Sequence, residues 1–301
     1  MIIKLSINGL RFRYDSREIL HDFCLDIGDG QIVSIVGPNG SGKSTLIKCI
    51  DQLLIPDSGE ILVDRQDVTK MDRMDLARTI AYVPQNSLRV FPNSVFDVVL
   101  MGRRPYLGWK GGDRDELVVW EMLGLLGLEE MALSSFTELS GGQQQKVLIA
   151  RALAQETGVI LLDEPTSNLD IWHQIDVMEI IRDLVKKRNL TAIVAIHDLN
   201  MAARYSDTLV MMKRGAIIAA GKPDSVMTAE NLERVYGIRA NVRITEDVPY
   251  VIPLARLIPK ADSGIRSTVS PGLYGNNSRA QRTAARNGLR PGKSPSSGKV
   301  G

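Results

Sequence analysis

The stretch from Gly37 to Thr45 constrains the fold of this chain more than any other segment. It reads GPNGSGKST and fits the phosphate-loop pattern G-x-x-x-x-G-K-[ST]. The fixed positions of that pattern are Gly37, Gly42, Lys43 and Ser44. The apolar run 32–36 before it predicts a buried strand, and residues 44–53 after it predict a helix. This context favours a nucleotide-binding α/β fold over a chance glycine-rich turn.

The residue types in this loop suit phosphate chemistry. Gly37, Gly40 and Gly42 let the backbone curl so that consecutive N–H groups face one cluster of oxygens. The helix N-terminus that follows adds partial positive charge at the same point. We expect Lys43 to reach the β- and γ-phosphates and the Ser44 hydroxyl to hold Mg²⁺. The remaining members of the candidate site are Pro38, Asn39, Ser41 and Thr45.

Two adjacent carboxylates follow a second apolar run. Residues 159–162 predict a fully buried strand that ends at Asp163 and Glu164. Ligands of parallel α/β sheets bind at the carboxyl ends of the strands. The pair can divide the work, with Asp163 directed toward Mg²⁺ and Glu164 toward an attacking water. The alternative interpretation is that these acids only cap the next helix.

Two further polar residues stand at predicted strand ends. Gln85 follows the strand 80–83, and His197 follows the core strand 192–196. A histidine there can reach a phosphate, although a single histidine is more often a satisfied structural residue.

A second glycine-rich segment, LSGGQ at 139–143, precedes a helix predicted over 144–155. Ser140 can cap this helix while Gly141 and Gly142 expose its N–H groups, which predicts a second anion site; alone, the motif would be an ordinary cap. Tyr14 ends a run of alternating residues. It could stack on a base, or it could be an edge-strand tyrosine without a ligand.

The pattern also predicts the organisation of the chain. Alternating residues over 1–29 predict short antiparallel strands, and helical periodicity over about 86–157 predicts a helical insertion into an α/β core. We expect the main domain to span 1–245, followed by an extension over 246–260. Residues 261–301 are predicted to be disordered, since they contain almost no core residues.

Charge and hydropathy exclude other classes. The net charge is +2, but residues 261–301 carry seven basic residues and one acid, so the rest of the chain is acidic. Residues 1–260 therefore lack the overall positive charge that is typical of nucleic-acid-binding proteins. No apolar run approaches a membrane span, and we expect a cytoplasmic chain that meets the membrane through a partner. Cys24 and Cys49 are predicted to be buried free thiols.

Taken together, the motifs resemble those of the ATP-binding subunit of an ABC transporter. They are GPNGSGKST, YVPQ, LSGGQ, VILLDEP, SNLD and His197, in this order, and the resemblance covers about residues 1–245. It implies a P-loop NTPase core of RecA-like α/β type. An N-terminal antiparallel β subdomain and a helical ABC-signature subdomain would complete this fold.

The resemblance also implies a role for each motif residue, with ATP and Mg²⁺ as ligands. Tyr14 would stack on adenine, and Gln85 would lie near Mg²⁺ and the lytic water. Asp163 would bind Mg²⁺, Glu164 would be the general base, and His197 would contact the γ-phosphate. The segment Ser140, Gly141, Gly142 and Gln143 would act on ATP held by another subunit.

A chain with one phosphate loop needs a second copy, or a paralogue, to complete each such site. ATP sandwiched head to tail between two chains would hold them together, and hydrolysis would release them. The resemblance further implies transmembrane permease subunits and, through them, a substrate-binding protein. Residues 85–106 would lie nearest the permease, on the cytoplasmic face of the membrane. No nucleic acid is expected as a partner.

Three stretches narrow the resemblance: GRRPYLGW, HDLNMAARYSD and VYGIRANVRI. They resemble ATPases of importers for iron–siderophore, haem or cobalamin. An importer of zinc, manganese or another small solute is the alternative. A soluble ABC ATPase acting on nucleic acid or ribosomes is a further class, as is a binding module without hydrolysis. Soluble ABC ATPases of that class usually carry tandem nucleotide domains. A binding module without hydrolysis would lack the catalytic residues that are present here.

Overall fold

The computed structural model describes residues 2–85, 93–106, 112–167 and 169–257. The strands among these residues are β1 (Ile3–Tyr14), β2 (Arg17–Gly28), β3 (Ile32–Val36), β4 (Ser58–Val63), β5 (Gln66–Asp67), β6 (Ile80–Val83), β7 (Val159–Asp163), β8 (Thr191–Ala195), β9 (Thr208–Lys213), β10 (Ala216–Gly221), β11 (Ile238–Thr245) and β12 (Val248–Arg256). The helices are α1 (Lys43–Ile50), α2 (Arg73–Thr79), α3 (Val95–Leu100), α4 (Asp113–Leu126), α5 (Gly141–Leu153), α6 (Ile171–Arg188), α7 (Leu199–Tyr205), α8 (Pro223–Val226) and α9 (Ala229–Tyr236).

The strands form three sheets. The central sheet has the order β10-β9-β3-β8-β7-β6, and all of its neighbours are parallel except the edge pair β9–β10. A second, antiparallel sheet has the order β2-β1-β4-β5, and β11 pairs with β12 in a separate hairpin. Strands β3, β7 and β8 are buried along their whole length, which explains their continuous apolar sequences.

Alternate residues of the central strands face two separate apolar clusters. In β3, Ile32 and Val36 pack with residues of helices α3 to α7, whereas Val33 and Ile35 pack with the antiparallel sheet and α1. This alternation follows the period-two geometry of a strand. The central sheet therefore lies between two layers, and the carboxyl ends of its parallel strands meet along one edge.

The C-terminal part of the described chain differs from the sequence-based expectation. The helix predicted over 224–236 is two helices, because Thr228 starts a new one by accepting a hydrogen bond from the Asn231 N–H at 3.1 Å. The strand predicted at 241–245 begins at Ile238. Its partner β12 lies beyond position 245, in the segment that the sequence had assigned to an extension. The Asn200 side chain holds strand β12 by a hydrogen bond, in which its Oδ1 accepts from the Val251 N–H at 2.7 Å.

The predicted burial of both thiols is correct for Cys49 and wrong for Cys24. Cys24 follows the buried Phe23 on β2. Because successive side chains of a strand point to opposite faces, the Cys24 side chain is exposed to solvent. The Gly9 N–H donates to its Sγ at 3.1 Å. Over the part of the chain that the structure describes, no helix is long and apolar enough to cross a membrane. The predicted disordered tail lies outside the described residues.

Candidate functional site

The phosphate loop adopts the curled form that its glycines allow. Gly40 and Gly42 have φ angles of +75° and +103°, which side chains with a Cβ rarely adopt. At Gly37, a Cβ would lie 2.3 Å from the Met212 carbonyl oxygen and 2.7 Å from the Ser41 Oγ. Position 37 therefore accepts only glycine, because the loop begins in direct contact with strand β9.

Lys43 is the first residue of α1 and is buried beneath the loop, with 5% of its surface exposed. Its Nζ donates to the carbonyl oxygen of Gly37 at 2.9 Å. Burial lowers the pKa of the Lys43 ammonium, and the charges of Glu164 and Asp163 act in the opposite direction. Backbone carbonyl oxygens thus hold the Lys43 amine at the loop. A phosphate bound there would favour its charged form and offset the effect of burial.

The Ser44 hydroxyl donates to Asp163 Oδ1 at 2.7 Å. Asp163 ends strand β7 and is almost fully buried. Burial raises the pKa of its carboxyl group, while the Ser44 hydrogen bond lowers it and the Glu164 charge raises it further. A hydroxyl and a carboxylate in contact offer the oxygen ligands that Mg²⁺ prefers. Within the described ranges, no group of three or more His, Cys, Asp and Glu side chains could hold an ion by itself.

Glu164 follows Asp163 in a left-handed backbone conformation, with φ at +53°. Its N–H donates to the Ala195 carbonyl at 3.0 Å, and its own carbonyl accepts from the Ser167 N–H at 3.1 Å and the Ser167 hydroxyl at 2.9 Å. A non-glycine residue in this conformation costs free energy and persists only where its surroundings fix it. These contacts fix the backbone and turn the Glu164 side chain out of the strand.

Gln85 and His197 meet at the Glu164 carboxylate. The Gln85 side-chain amide donates to one oxygen, and His197 Nε2 contacts the other. The three residues come from the ends of β6, β7 and β8, which are neighbours in the central sheet. The sheet order therefore assembles residues that are more than thirty positions apart in sequence.

These groups border one open polar cavity of about 520 Å³. Its lining consists of Asn39, Gly40, Ser41, Gly42, Lys43, Ser44, Thr45, Gln85, Glu164, Ser167 and His197. The lining combines the loop residues, including the Lys43 ammonium, with the Glu164 carboxylate and its two partners. The arrangement suits a polyphosphate whose terminal group points at Glu164.

Among the predicted site residues, Gly37, Pro38 and Asp163 do not line this cavity themselves but adjoin lining residues in sequence, whereas Tyr14 and the segment 140–143 lie elsewhere. Tyr14 ends β1 with 46% of its surface exposed, and its ring packs edge-on against Phe12 at 4.8 Å between centroids. The segment 140–143 is also absent from the lining. Within one chain, the structure brings together the loop, Gln85, Asp163, Glu164 and His197, but not Tyr14 or the second glycine-rich segment.

The second segment forms the predicted helix start, although α5 begins at Gly141 rather than at position 144. Ser140 accepts from the Gln143 N–H at 3.4 Å, and Gln143 Oε1 accepts from the Ser140 N–H at 2.9 Å. This is a reciprocal capping box. A Cβ on Gly142 would lie 2.2 Å from His173 Cδ2, so the His173 ring closes over this glycine.

Ser167 is a lining residue to which the sequence analysis gave no role. Its hydroxyl supports the Glu164 carbonyl and its side chain borders the cavity. Its position within the SNLD motif, three residues after Glu164, was the available signal.

A second cavity, of about 600 Å³, lies at the other end of α1, and we call it the groove. Apolar residues line it, among them Leu53, Ile55 and Met101, which are between 45% and 80% exposed. Asp51 and Arg151 also line it, and neither side chain has an ion pair among the residues that the structure describes. Burial raises the pKa of Asp51 to about 7 and lowers the pKa of Arg151.

Comparison with known proteins supplies the family. The ABC transporter family profile matches residues 20–167. An uncharacterized ABC transporter ATP-binding protein of Methanocaldococcus jannaschii is 46% identical over 83% of this chain and 98% of its own length. The ferric enterobactin transport ATP-binding protein of Escherichia coli is 36% identical over 86% of this chain and 97% of its own length.

This chain belongs to the ABC transporter ATP-binding family. It is therefore an ATP-binding ATPase subunit of the kind that works with membrane permeases. A cobalamin import ATP-binding protein of Halobacterium salinarum is 42% identical over 79% of this ABC subunit and 60% of its own length.

Solved structures agree with the fold of the ABC subunit. A putative metal-chelate type ABC transporter, in an inward-facing conformation, matches with a TM-score of 0.74 and 32% identity over 84% of this chain and 98% of its own. A dimeric ATP-binding cassette in a post-hydrolysis state, bound to ADP and Pi, matches with a TM-score of 0.65 and 31% identity over 73% and 98%. The predicted family and fold class are confirmed.

Proposed function

We propose that this subunit hydrolyses ATP to energise an importer of a metal chelate of the iron–siderophore, haem or cobalamin type. The observation that carries the catalytic part is the convergence of Gln85 and His197 on Glu164, beside the Ser44–Asp163 pair. The substrate class is supported by the relatives, whose names specify ferric enterobactin and cobalamin, and by the metal-chelate transporter of similar structure.

In this proposal Glu164 is the general base for in-line attack of water on the γ-phosphate. Gln85 and His197 hold its two carboxylate oxygens, so the side chain has a defined direction before the nucleotide binds. His197 would then contact the γ-phosphate, and Gln85 would order the water. Lys43 and the loop N–H groups would neutralise charge on the phosphates, which is the main form of catalysis in phosphoryl transfer.

Ser44 and Asp163 are the residues that would hold Mg²⁺, with Gln85 nearby. Their hydroxyl and carboxylate oxygens already meet at 2.7 Å, and the other ligands would be phosphate oxygens and water. When bound, such an ion would supply positive charge that offsets the negative charge of the phosphates. Burial raises the pKa of Asp163 and so disfavours its ionised form. A bound cation would act in the opposite direction and favour the carboxylate.

Completion of the site requires a second copy of this chain. Segment 140–143 is a capped helix start that does not border the cavity of its own chain, and a structurally similar cassette is dimeric. We infer that this segment contacts the ATP of the partner copy. Tyr14 is assigned to stacking on adenine, since its exposed ring at the end of β1 is available to a base.

The groove is the proposed docking site for the permease at the cytoplasmic face of the membrane. Of the predicted docking residues, Arg103 is not available, because it is 2% exposed and paired with Asp115 at 2.9 Å and Glu156 at 2.6 Å. The exposed apolar rim and the opposite charges of Asp51 and Arg151 suit an amphipathic helix that carries complementary charges. A substrate-binding protein would act through the permease.

The domain assignment stays a proposal. A main domain over 1–245, with a helical part near 86–157, would leave 246–260 as an extension and 261–301 as a basic tail. Since β11 and β12 pair across position 245, the extension is joined to the main domain by a ladder of backbone hydrogen bonds.

Reconstitution tests the proposal. The cognate permease and binding protein, once identified, would be purified with this chain and placed in liposomes. We expect ATP hydrolysis to rise several-fold when the binding protein carries a ferric siderophore, haem or cobalamin, and the chelate to enter the liposomes. Stimulation by free zinc or manganese, with none by any chelate, would contradict the proposed substrate class. Glu164→Gln complexes serve as the transport-dead control.

A further inference from the structure

His173, in the first turn of α6, packs against the second glycine-rich segment. A Cβ on Gly142 would lie 2.2 Å from His173 Cδ2 and 2.8 Å from His173 Nε2. Close-packed side chains do not approach this closely, so the imidazole occupies the space that any residue other than glycine would need. The glycine at position 142 therefore leaves room for a ring from another helix, and this ring covers the start of α5.

Two contacts set the orientation of the imidazole. Asp170 Oδ1 lies 2.8 Å from His173 Nδ1 and also accepts from the His173 backbone N–H at 2.9 Å. Because an ionised carboxylate only accepts hydrogen bonds, Nδ1 is the nitrogen that donates here. The Trp172 indole packs edge-on against the imidazole, with 4.9 Å between the ring centroids. A hydrogen bond and packing thus hold the ring with its Cδ2 edge directed at Gly142.

The loop between the catalytic carboxylate and α6 is fixed by its own hydrogen bonds. Ser167 donates to the Glu164 carbonyl at 3.1 Å through its N–H and at 2.9 Å through its hydroxyl. Gln174, on α6, donates to the carbonyl oxygens of Thr166 at 3.3 Å and Leu169 at 3.0 Å. Helix α6, which carries the imidazole, is therefore joined to the backbone that carries the proposed base.

We infer that His173 is a positioning residue of the second glycine-rich segment. Its ring holds the helix start at Gly142 in a fixed place relative to the Glu164 loop of the same chain. The segment 140–143 then meets the ATP of a partner copy while Glu164 acts on the ATP of its own chain. His173 in this way sets how strongly ATP joins two copies, and the inference rests on the proposed two-copy site.

His173→Ala in the full chain tests this role, because it removes the ring and keeps the backbone N–H that Asp170 accepts. The change is made on the Glu164→Gln chain and compared with that parent by light scattering over a range of ATP concentrations with Mg²⁺. We expect the ATP concentration that gives half-maximal dimer to rise about threefold to tenfold.

Two further quantities separate positioning from a general structural role. The Kd for ADP, measured by calorimetry on the isolated subunit, should stay within about twofold, because His173 does not line the phosphate cavity. The Tm should change by no more than about 2 °C, since the Lys146–Asp176 ion pair at 2.7 Å still joins α5 to α6. A weaker dimer accompanied by weaker ADP binding or a much lower Tm would overturn the inference.

Amide hydrogen exchange of the nucleotide-free chain measures the same contact without a second copy. Peptides that cover residues 139–145 should exchange faster in His173→Ala than in the parent, because the ring no longer covers the start of α5. If the Glu164→Gln parent does not dimerise with ATP, the proposed two-copy site is contradicted. The exchange result then decides the role of His173, and unchanged exchange would overturn it.

Arg182→Ala is the matched control on the same helix. Arg182 also contacts an acid three residues before it, Glu179 at 3.7 Å, and an aromatic ring, Tyr205 at 5.3 Å from its centroid. It should leave the dimer, ADP binding and the exchange of residues 139–145 as in the parent. An unchanged ATP requirement in His173→Ala, or a rise that the control equals, would overturn the inference.

Discussion

The two ends of helix α1 face two cavities of similar size and different chemistry. At its N-terminus, Lys43 and Ser44 border the polar phosphate cavity of about 520 Å³. At its C-terminus, the capping residue Asp51 borders the groove of about 600 Å³, which has an apolar rim. At the first end, each charged group has a polar partner within the chain: Lys43 contacts the Gly37 carbonyl, Asp163 accepts from Ser44, and Glu164 contacts Gln85 and His197. The second end leaves Asp51 and Arg151 without ion pairs among the described residues.

This difference indicates two kinds of ligand. A helix N-terminus favours an anion, and the loop adds N–H groups and a lysine for a small phosphate ligand. A helix C-terminus disfavours a carboxylate, and burial adds to that cost at Asp51. A permease helix that brings a cation to Asp51 and an anion to Arg151 would remove the cost. In the proposed arrangement, the eight-residue helix α1 would connect the ATP site to the permease docking site.

Loss of the lysine at the first end should have the largest effect. Lys43→Ala removes the buried cation of the phosphate cavity and should reduce ATP turnover by about 100-fold or more. Phosphate release measured with a coupled assay checks this. Lys70→Ala is the control, since the Lys70 side chain is 79% exposed and forms its ion pair with Asp67, outside the lining of the phosphate cavity. Comparable turnover in the two variants would show that Lys43 does not serve the phosphates.

At the second end, Asp51→Asn should stabilise the isolated subunit. The pKa of Asp51 is about 7 in the fold and about 4 when unfolded, so the native state binds the extra proton. Wild-type stability should fall as pH rises from 4 to 7, by up to a few kcal/mol. The variant should lose this component and have the higher Tm at pH 8.

Thermal unfolding of both proteins at pH 5 and pH 8 measures the effect. Asp183→Asn is the control, because Asp183 is exposed and pairs with Lys187 within α6. Parallel pH profiles for wild type and Asp51→Asn would contradict the buried, unpaired state of Asp51. Addition of the permease should reduce the difference.

A smaller effect on stability is expected in the second glycine-rich segment, 139–143, which lines neither cavity. Gly142→Ala should destabilise the subunit by about 1–3 kcal/mol, because its Cβ would meet the His173 ring at 2.2 Å. In Gly141→Ala the nearest atom, Leu169 Cδ2, lies 3.8 Å away, so the Tm should hold or rise slightly. Equal Tm values for the two variants would show that the His173 ring yields freely.

The phosphate cavity was predictable because its chemistry lies in short motifs. The glycines of the loop indicate its curled conformation. The apolar runs before Asp163 and His197 indicate that both residues stand at strand ends. The parallel order of the sheet then brought distant strand ends together. The capping box at Ser140 was equally local.

The groove and the C-terminal segment were not predictable in this way. Asp51 and Arg151 are ordinary residues in sequence, and only packing places them in one cavity. Strand β12 contains Pro249 and Pro253, which weakened its strand pattern, yet a two-stranded hairpin tolerates proline where no ladder N–H is needed.

The central claim, that Glu164 activates water at a site shared by two copies, is tested most directly by Glu164→Gln. ATP hydrolysis should fall by about 10²–10⁴-fold while ATP binding remains. With ATP and Mg²⁺, light scattering on a sizing column should then show a stable species of twice the monomer mass. Glu179→Gln, on the exposed face of α6, should behave as wild type. A Glu164→Gln variant that stays monomeric with ATP and turns over normally would contradict the account.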